Sequence, residues 1–211
     1  MSESDKRAKL AEVAREVAVC RQCQLYRQAT RAVPGEGKAD AEVMFIGEGP
    51  GYNEDQQGRP FVGAAGKLLE ANLAAVGWRR EDVFIGNTVK HRPPENRDPL
   101  PEELIKCAGF LDRQIEIIDP GLIVTLGRFS MGKFLPGVMI SRVHGKARKV
   151  GFKGRDYWVL PMYHPAAALR DGQVMREFRE DFLQIPELVE KIRKEEEDEN
   201  EEGEGEQLSL V

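Results

Sequence analysis

Short, almost wholly apolar runs alternate along the chain with longer stretches of helical periodicity. The runs are VMFI at 43–46, VFI at 83–85, LIVTL at 122–126 and YWVL at 157–160. Runs of this kind are strands buried on both faces, as in a parallel sheet. Helical stretches separate them at about 66–76, 101–118 and 128–134. Another precedes them at about 5–19, and a last helix is expected over about 174–194. Residues 146–153 read as a hairpin or loop leading into the fourth strand. The alternation predicts an α/β fold with a central, mainly parallel four-stranded sheet and helices on both faces.

In such sheets ligands bind beyond the carboxyl ends of the strands. Reading on from each strand gives Gly47-Glu48-Gly49-Pro50-Gly51, then Gly86-Asn87, then Gly127, then Met162-Tyr163-His164-Pro165. The glycine-rich turn lets backbone N–H groups approach a ligand closely, and serves equally as a plain strand-to-loop bend. Phe61, between turn residues, is either local packing or a stacking platform for a planar base. Asn87 carries a donor and an acceptor on one amide, which suits a nucleobase edge as well as a turn. His164 precedes Pro165, and taken alone it reads as structural or catalytic.

With 211 residues, 41% of them hydrophobic, the chain suffices for one α/β domain with a substantial core. No apolar run approaches the roughly 18–20 residues of a membrane span. The start, MSESDKRAKLAEVAREV, lacks the apolar stretch of a secretory signal, so a cytoplasmic protein is expected. The formal net charge of −5 hides an asymmetry: residues 195–206 hold nine acidic side chains and no basic one, which leaves the remainder at +4. The expected division is a folded domain, 1–194, and a disordered acidic tail, 195–211. A mildly basic body accepts a polyanion, whereas the tail repels one. Three cysteines, Cys20, Cys23 and Cys107, are an odd set that argues against a disulfide framework, and Cys20 and Cys23 form a CxxC pair suited to metal ligation or redox chemistry.

Four segments together resemble the family 4 uracil-DNA glycosylases: GEGPG at 47–51, GRPFVGAAG at 58–66, GNTVKHRPPENRDP at 86–99 and YHPAAALR at 163–170. The resemblance runs in order from about Cys20 to about Glu190. It implies a three-layer α/β/α sandwich that draws uracil out of DNA and hydrolyses its N-glycosidic bond, the first step of base excision repair. By the same resemblance Phe61 stacks on the extruded base, Asn87 reads its O4/N3 edge and rejects cytosine, and His164 stabilises charge developing at O2. The backbone of Glu48, Gly49 and Pro50 holds base and sugar, and the Glu48 side chain orients water or stabilises the sugar cation. Arg170 is a candidate DNA contact in a loop resembling the one that probes the minor groove. Lys90, Arg92, Arg97, Arg142, Lys146 and Arg148 are further candidates for phosphate contact, or ordinary solvated surface.

The resemblance also supplies four metal-ligand positions, normally cysteines. Cys20, Cys23 and Cys107 fill three, and His91 stands at the fourth. A Cys3His [4Fe-4S] cluster of structural purpose is therefore expected, with zinc on the same residues as the alternative. No histidine occupies the loop through which some relatives capture uracil covalently, so ordinary turnover is expected. The terminal residues Gln207 to Val211, QLSLV, resemble the short peptide with which bacterial repair proteins dock on the replicative sliding clamp. A monomer working at the nucleoid on uracil-containing DNA follows. Two other classes compete: an inactive uracil-DNA-binding or clamp-recruiting module, and a metal-dependent nucleotide hydrolase using GEGPG as a phosphate cradle. Asn87 with His164 disfavours the first, and the absence of a Gly-Lys-Ser/Thr loop disfavours the second.

Overall fold

The computed structural model describes residues 1–208. Its sheet has six strands: β1 (Glu36–Gly37), β2 (Val43–Gly47), β3 (Phe84–Asn87), β4 (Leu122–Leu126), β5 (Arg148–Phe152) and β6 (Arg155–Met162). The spatial order is β1-β3-β2-β4-β6-β5. The inner four are parallel and are the four apolar runs, whereas β1 and β5 pair antiparallel at the edges. Four predicted strands thus become six. The two additions carry no apolar run: β1 is two residues long, and β5 is a polar edge strand, RKVGF, that forms the expected hairpin with β6. Edge strands are half-solvated and lose the continuous apolar signature.

Nine helices are described: α1 (Glu3–Ala18), α2 (Tyr52–Gln57), α3 (Ala64–Ala75), α4 (Pro101–Ile118), α5 (Arg128–Phe134), α6 (Ile140–Val143), α7 (Pro165–Ala168), α8 (Gly172–Leu183) and α9 (Ile185–Leu208). Ser2 and Asp5 close a capping box at the start of α1. The single helix expected over 174–194 is two, parted at Gln184, because Pro186 has no N–H to continue the ladder. The backbone of 195–208 extends α9, where disorder is expected from the sequence; glutamate is a good helix former. Among the described side chains of α9 the last buried one is Ile192. Ser209–Val211, the end of the clamp-like peptide, lie outside the described residues.

Alternation along the strands builds the three layers. Val43, Phe45, Val124 and Leu160 pack on one face against Leu69 and Leu73 of α3, Phe178 and Phe182 of α8 and Ile185 of α9. Met44, Ile46, Ile123 and Val159 pack on the other against Leu111, Ile115 and Ile118 of α4. A third cluster joins α1 to α4 through Val13, Val17, Phe110 and Ile117, with Cys107 among them. No described helix is long and apolar enough to cross a membrane.

Candidate active site

At the carboxyl ends of the parallel strands, Gly47 of β2 stands opposite Asn87 of β3. A Cβ on Gly47 would lie 2.5 Å from Asn87 Oδ1 and 2.5 Å from the Phe61 ring. Only a bare Cα lets the amide and the aromatic meet over the sheet edge. Asn87 is 2% exposed, and its Oδ1 is buried with no hydrogen-bond partner among the described residues. Such an atom carries a desolvation cost that an incoming donor would relieve.

Phe61 sits at φ 51°, in the left-handed region that bulky residues rarely enter. Three restraints hold it there. The carboxylate of Glu54 on α2 accepts the N–H groups of Val62 and Gly63 at 2.8 Å each. Arg80 donates to the Phe61 carbonyl at 2.8 Å and also to that of Pro60. Gly66 lies so near that a Cβ would fall 1.9 Å from the Phe61 carbonyl oxygen. The strain is thus over-determined by the surroundings, which is how strained backbone persists at working sites.

Facing Phe61 is His164, with ring centroids 5.8 Å apart and planes inclined by 29°. Its Nδ1 accepts the Ala166 N–H at 3.1 Å, at the start of α7. A ring nitrogen that accepts is unprotonated, so the neutral imidazole carries its proton on Nε2. Burial keeps it neutral, lowering the pKa to about 4; nearby Glu54 opposes the shift and Arg170 adds to it. Gly127, at φ 93°, allows this approach: a Cβ there would lie 3.1 Å from that of His164.

These groups line a cavity of about 500 Å³, which also takes in Gly49, Pro50, Asn96, Asp98, Arg128 and Arg170. Glu48 is on its wall, with its carboxyl pushed above the usual range by burial and by Asp98, while Arg128 pulls the other way. The volume is that of a small-molecule site. All six residues expected at the base pocket (Glu48, Gly49, Pro50, Phe61, Asn87 and His164) line this one cavity, and Arg170 is at its rim. Reasoning from sequence missed Glu54, Arg80, Asp98 and Arg128. Glu54 and Arg80 act through backbone bonds of another segment, a tertiary pairing that leaves no local motif.

Two expected surface cations are differently employed. Lys90 is wholly buried. Arg97 forms a bidentate pair, at 2.7 and 2.8 Å, with the buried carboxylate of Glu103, which also accepts the Leu100 N–H at the start of α4. Arg142, Lys146 and Arg148 are exposed but do not line the cavity. Arg92 is half-buried beside it, its guanidinium 5.2 Å from the Tyr52 ring centroid and its Nε donating to Asn96 Oδ1 at 2.7 Å.

Away from the cavity, Cys107 of α4 packs in the third core cluster with Cys20 and Cys23 at its margin. Burial raises the Cys23 thiol and lifts Cys107 to about 11, and the three sulfurs fall within electrostatic range of one another. His91 is buried with its pKa lowered, and the nearby charge on Asp55 opposes that shift. Among the described residues, no three His, Cys, Asp or Glu side chains close on one ion position.

The uracil DNA glycosylase superfamily model matches residues 34–185, which span the sheet and the whole cavity. A type-4 uracil-DNA glycosylase of Archaeoglobus fulgidus is 48% identical over 188 residues, 86% of this chain and 94% of the relative. That of Sulfurisphaera tokodaii is 48% identical over 187 residues, covering 85% of this chain and 84% of the relative. That of Thermotoga maritima is 42% identical over 188 residues, covering 88% and 97%. With the residues expected at the base pocket lining one cavity and relatives matched along most of their length, the chain belongs to the type-4 uracil-DNA glycosylases of the uracil DNA glycosylase superfamily.

Proposed function

We propose that the cavity receives a uracil swung out of DNA and hydrolyses its N-glycosidic bond. The observation that carries this reading is the unpartnered Asn87 Oδ1 beside the neutral His164. Extrusion costs a few kcal/mol of stacking and pairing, and stacking on Phe61 offsets part of it. Asn87 Oδ1 accepts the uracil N3–H while Nδ2 donates to O4. Cytosine reverses both groups and would bury two mismatched pairs. As the C1′–N1 bond breaks, the electron pair passes to the base and the sugar becomes cationic. His164 Nε2–H then donates to O2, where the negative charge collects. Water adds at C1′, its oxygen becoming the sugar hydroxyl and its lost proton ending on the departing uracil anion, while ionised Glu48 orients the water or steadies the cation. Arg170 and Arg92 at the rim take phosphates. Excision measured on uracil-containing against thymine- and cytosine-containing oligonucleotides tests the reading: release of uracil alone supports it, and no release from any strand overturns it.

The cysteine corner suits a [4Fe-4S] cluster. Three soft sulfur donors gather at one apolar corner, the donor type that iron–sulfur clusters take. Cys20, Cys23 and Cys107 would hold the cluster, with His91 as fourth ligand. When bound it supplies a cross-link between the segment after α1 and α4, and no step of the hydrolysis. Iron and acid-labile sulfide in stoichiometric amount, with a broad visible absorption, are expected; stoichiometric zinc without colour would overturn the assignment.

The protein is proposed to act as a monomer at the nucleoid, with Gln207 to Val211 docking on the sliding clamp. Truncation after Glu206 is expected to abolish clamp binding in a direct assay, and equal affinity of the two proteins would remove that role.

A further inference from the structure

Lys90 is 0% exposed, a costly place for an ammonium group, and no step above uses it. Its Nζ donates to the main-chain carbonyl of Asn87 at 3.0 Å and to Gln114 Oε1 at 2.6 Å. Gln114, buried on α4, donates in turn to the Pro34 carbonyl at 2.7 Å. Val33 N–H closes the circuit on the Lys90 carbonyl at 2.7 Å. These bonds tie the strand end that bears Asn87 to α4 and to the segment before β1. The edge strand β1 pairs only with Phe84 and Ile85, so the ladder on that side stops short of Asn87. Lys90 supplies the donor that a further strand residue would have provided.

We propose that Lys90 is a positioning residue for base recognition, clamping the Asn87 main chain so that its unpartnered Oδ1 meets the N3–H of the substrate. The proposal rests on the reading of Asn87 given above. The geometry argues for it in two ways. The amide oxygen stands in the clearance that Gly47 leaves, where a Cβ would lie 2.5 Å from it, so no Gly47 side chain holds the amide and its position depends on its own main chain. The clamp itself is a cation with two buried acceptors, a charge-assisted anchor stiffer than a neutral turn.

The test is a double-variant cycle of Lys90→Met and Asn87→Ala in the metal-loaded protein, with melting temperature and visible spectrum recorded alongside. Lys90→Met is expected to lower kcat/KM for uracil excision by about 100-fold, the cost of a small misplacement. Inhibition by free uracil should no longer exceed that by 3-methyluracil, which lacks the N3–H. In the Asn87→Ala background the second substitution is expected to have little further effect. If Lys90→Met does not fold, Gln114→Leu loosens the same clamp and carries the same cycle. Wild-type excision by the clamp variant, or losses that multiply in the double variant, would overturn the positioning role. Wild-type excision by Asn87→Ala alone would instead overturn the base-reading role on which it rests.

Discussion

Asn87 and His164 present one acceptor and one donor whose states are set before any ligand arrives. In the proposed roles, removing either group takes away an interaction made in the transition state. Asn87→Ala and His164→Ala are each expected to fold and to lose roughly 100- to 1,000-fold in kcat; single-turnover excision measures this. Acid should act on the two titrating groups differently. Burial raises the Glu48 carboxyl pKa, and in its proposed role the group acts ionised, so the acid limb of kcat/KM should fall at a pH above the ordinary 4.5 of a glutamate. Glu48→Gln should abolish that limb in a pH–rate profile. His164 has a folded pKa near 4 against 6.5 when free, so it binds its proton more readily in the unfolded chain. Its contribution to stability is complete above about pH 6.5 and declines as pH falls toward 4. The melting temperature should drop across that window, less so in His164→Gln. These residues are legible in the sequence because each lies at the end of an apolar strand or within two residues of it. Their electrostatic states are not, because burial and the Ala166 N–H contact depend on the assembled fold.

The turn around Phe61 shows the same division among elements. Its sequence, GRPFVGAAG, announces a glycine-rich turn carrying an aromatic. What holds it comes from α2 through Glu54 and from Arg80 near the start of β3. Gly66→Ala would drive a methyl group into the Phe61 carbonyl. A cost of about 1–3 kcal/mol is expected in denaturant unfolding, together with weaker binding of free uracil as the ring shifts. The four inner strands and α4 and α5 fall at or within two residues of where periodicity predicts them, because burial on two faces leaves an unbroken apolar run. The edge strand β5 shows in the sequence only as a hairpin or loop, and β1, α2, α6 and α7 escape notice because they carry too few residues for a period to show.

At the scale of the whole molecule, charge is divided between a basic body and an acidic extension. Residues 195–206 place nine carboxylates on a chain whose remainder is net positive. Ending the chain at Lys194 should tighten DNA binding at low salt and steepen its salt dependence. The advantage should vanish near 1 M salt, where the screening length is about 3 Å. Titration of labelled oligonucleotides at several ionic strengths measures both effects, and identical salt slopes for the two proteins would show that the extension is electrostatically silent toward DNA. Net charge alone, at −5, conceals this arrangement; the position of the charges reveals it.

Gly47 has a bearing on how such a pocket can change over generations. Its missing side chain is the clearance within which Asn87 and Phe61 stand, so the three positions behave as an interlock. A larger residue at 47 obstructs its neighbours, and smaller neighbours give up the contacts proposed to grip the base. Selection for a new base preference therefore faces a valley if it moves one position at a time. A library that varies 47, 61 and 87 together should reach altered specificities that three separate libraries do not.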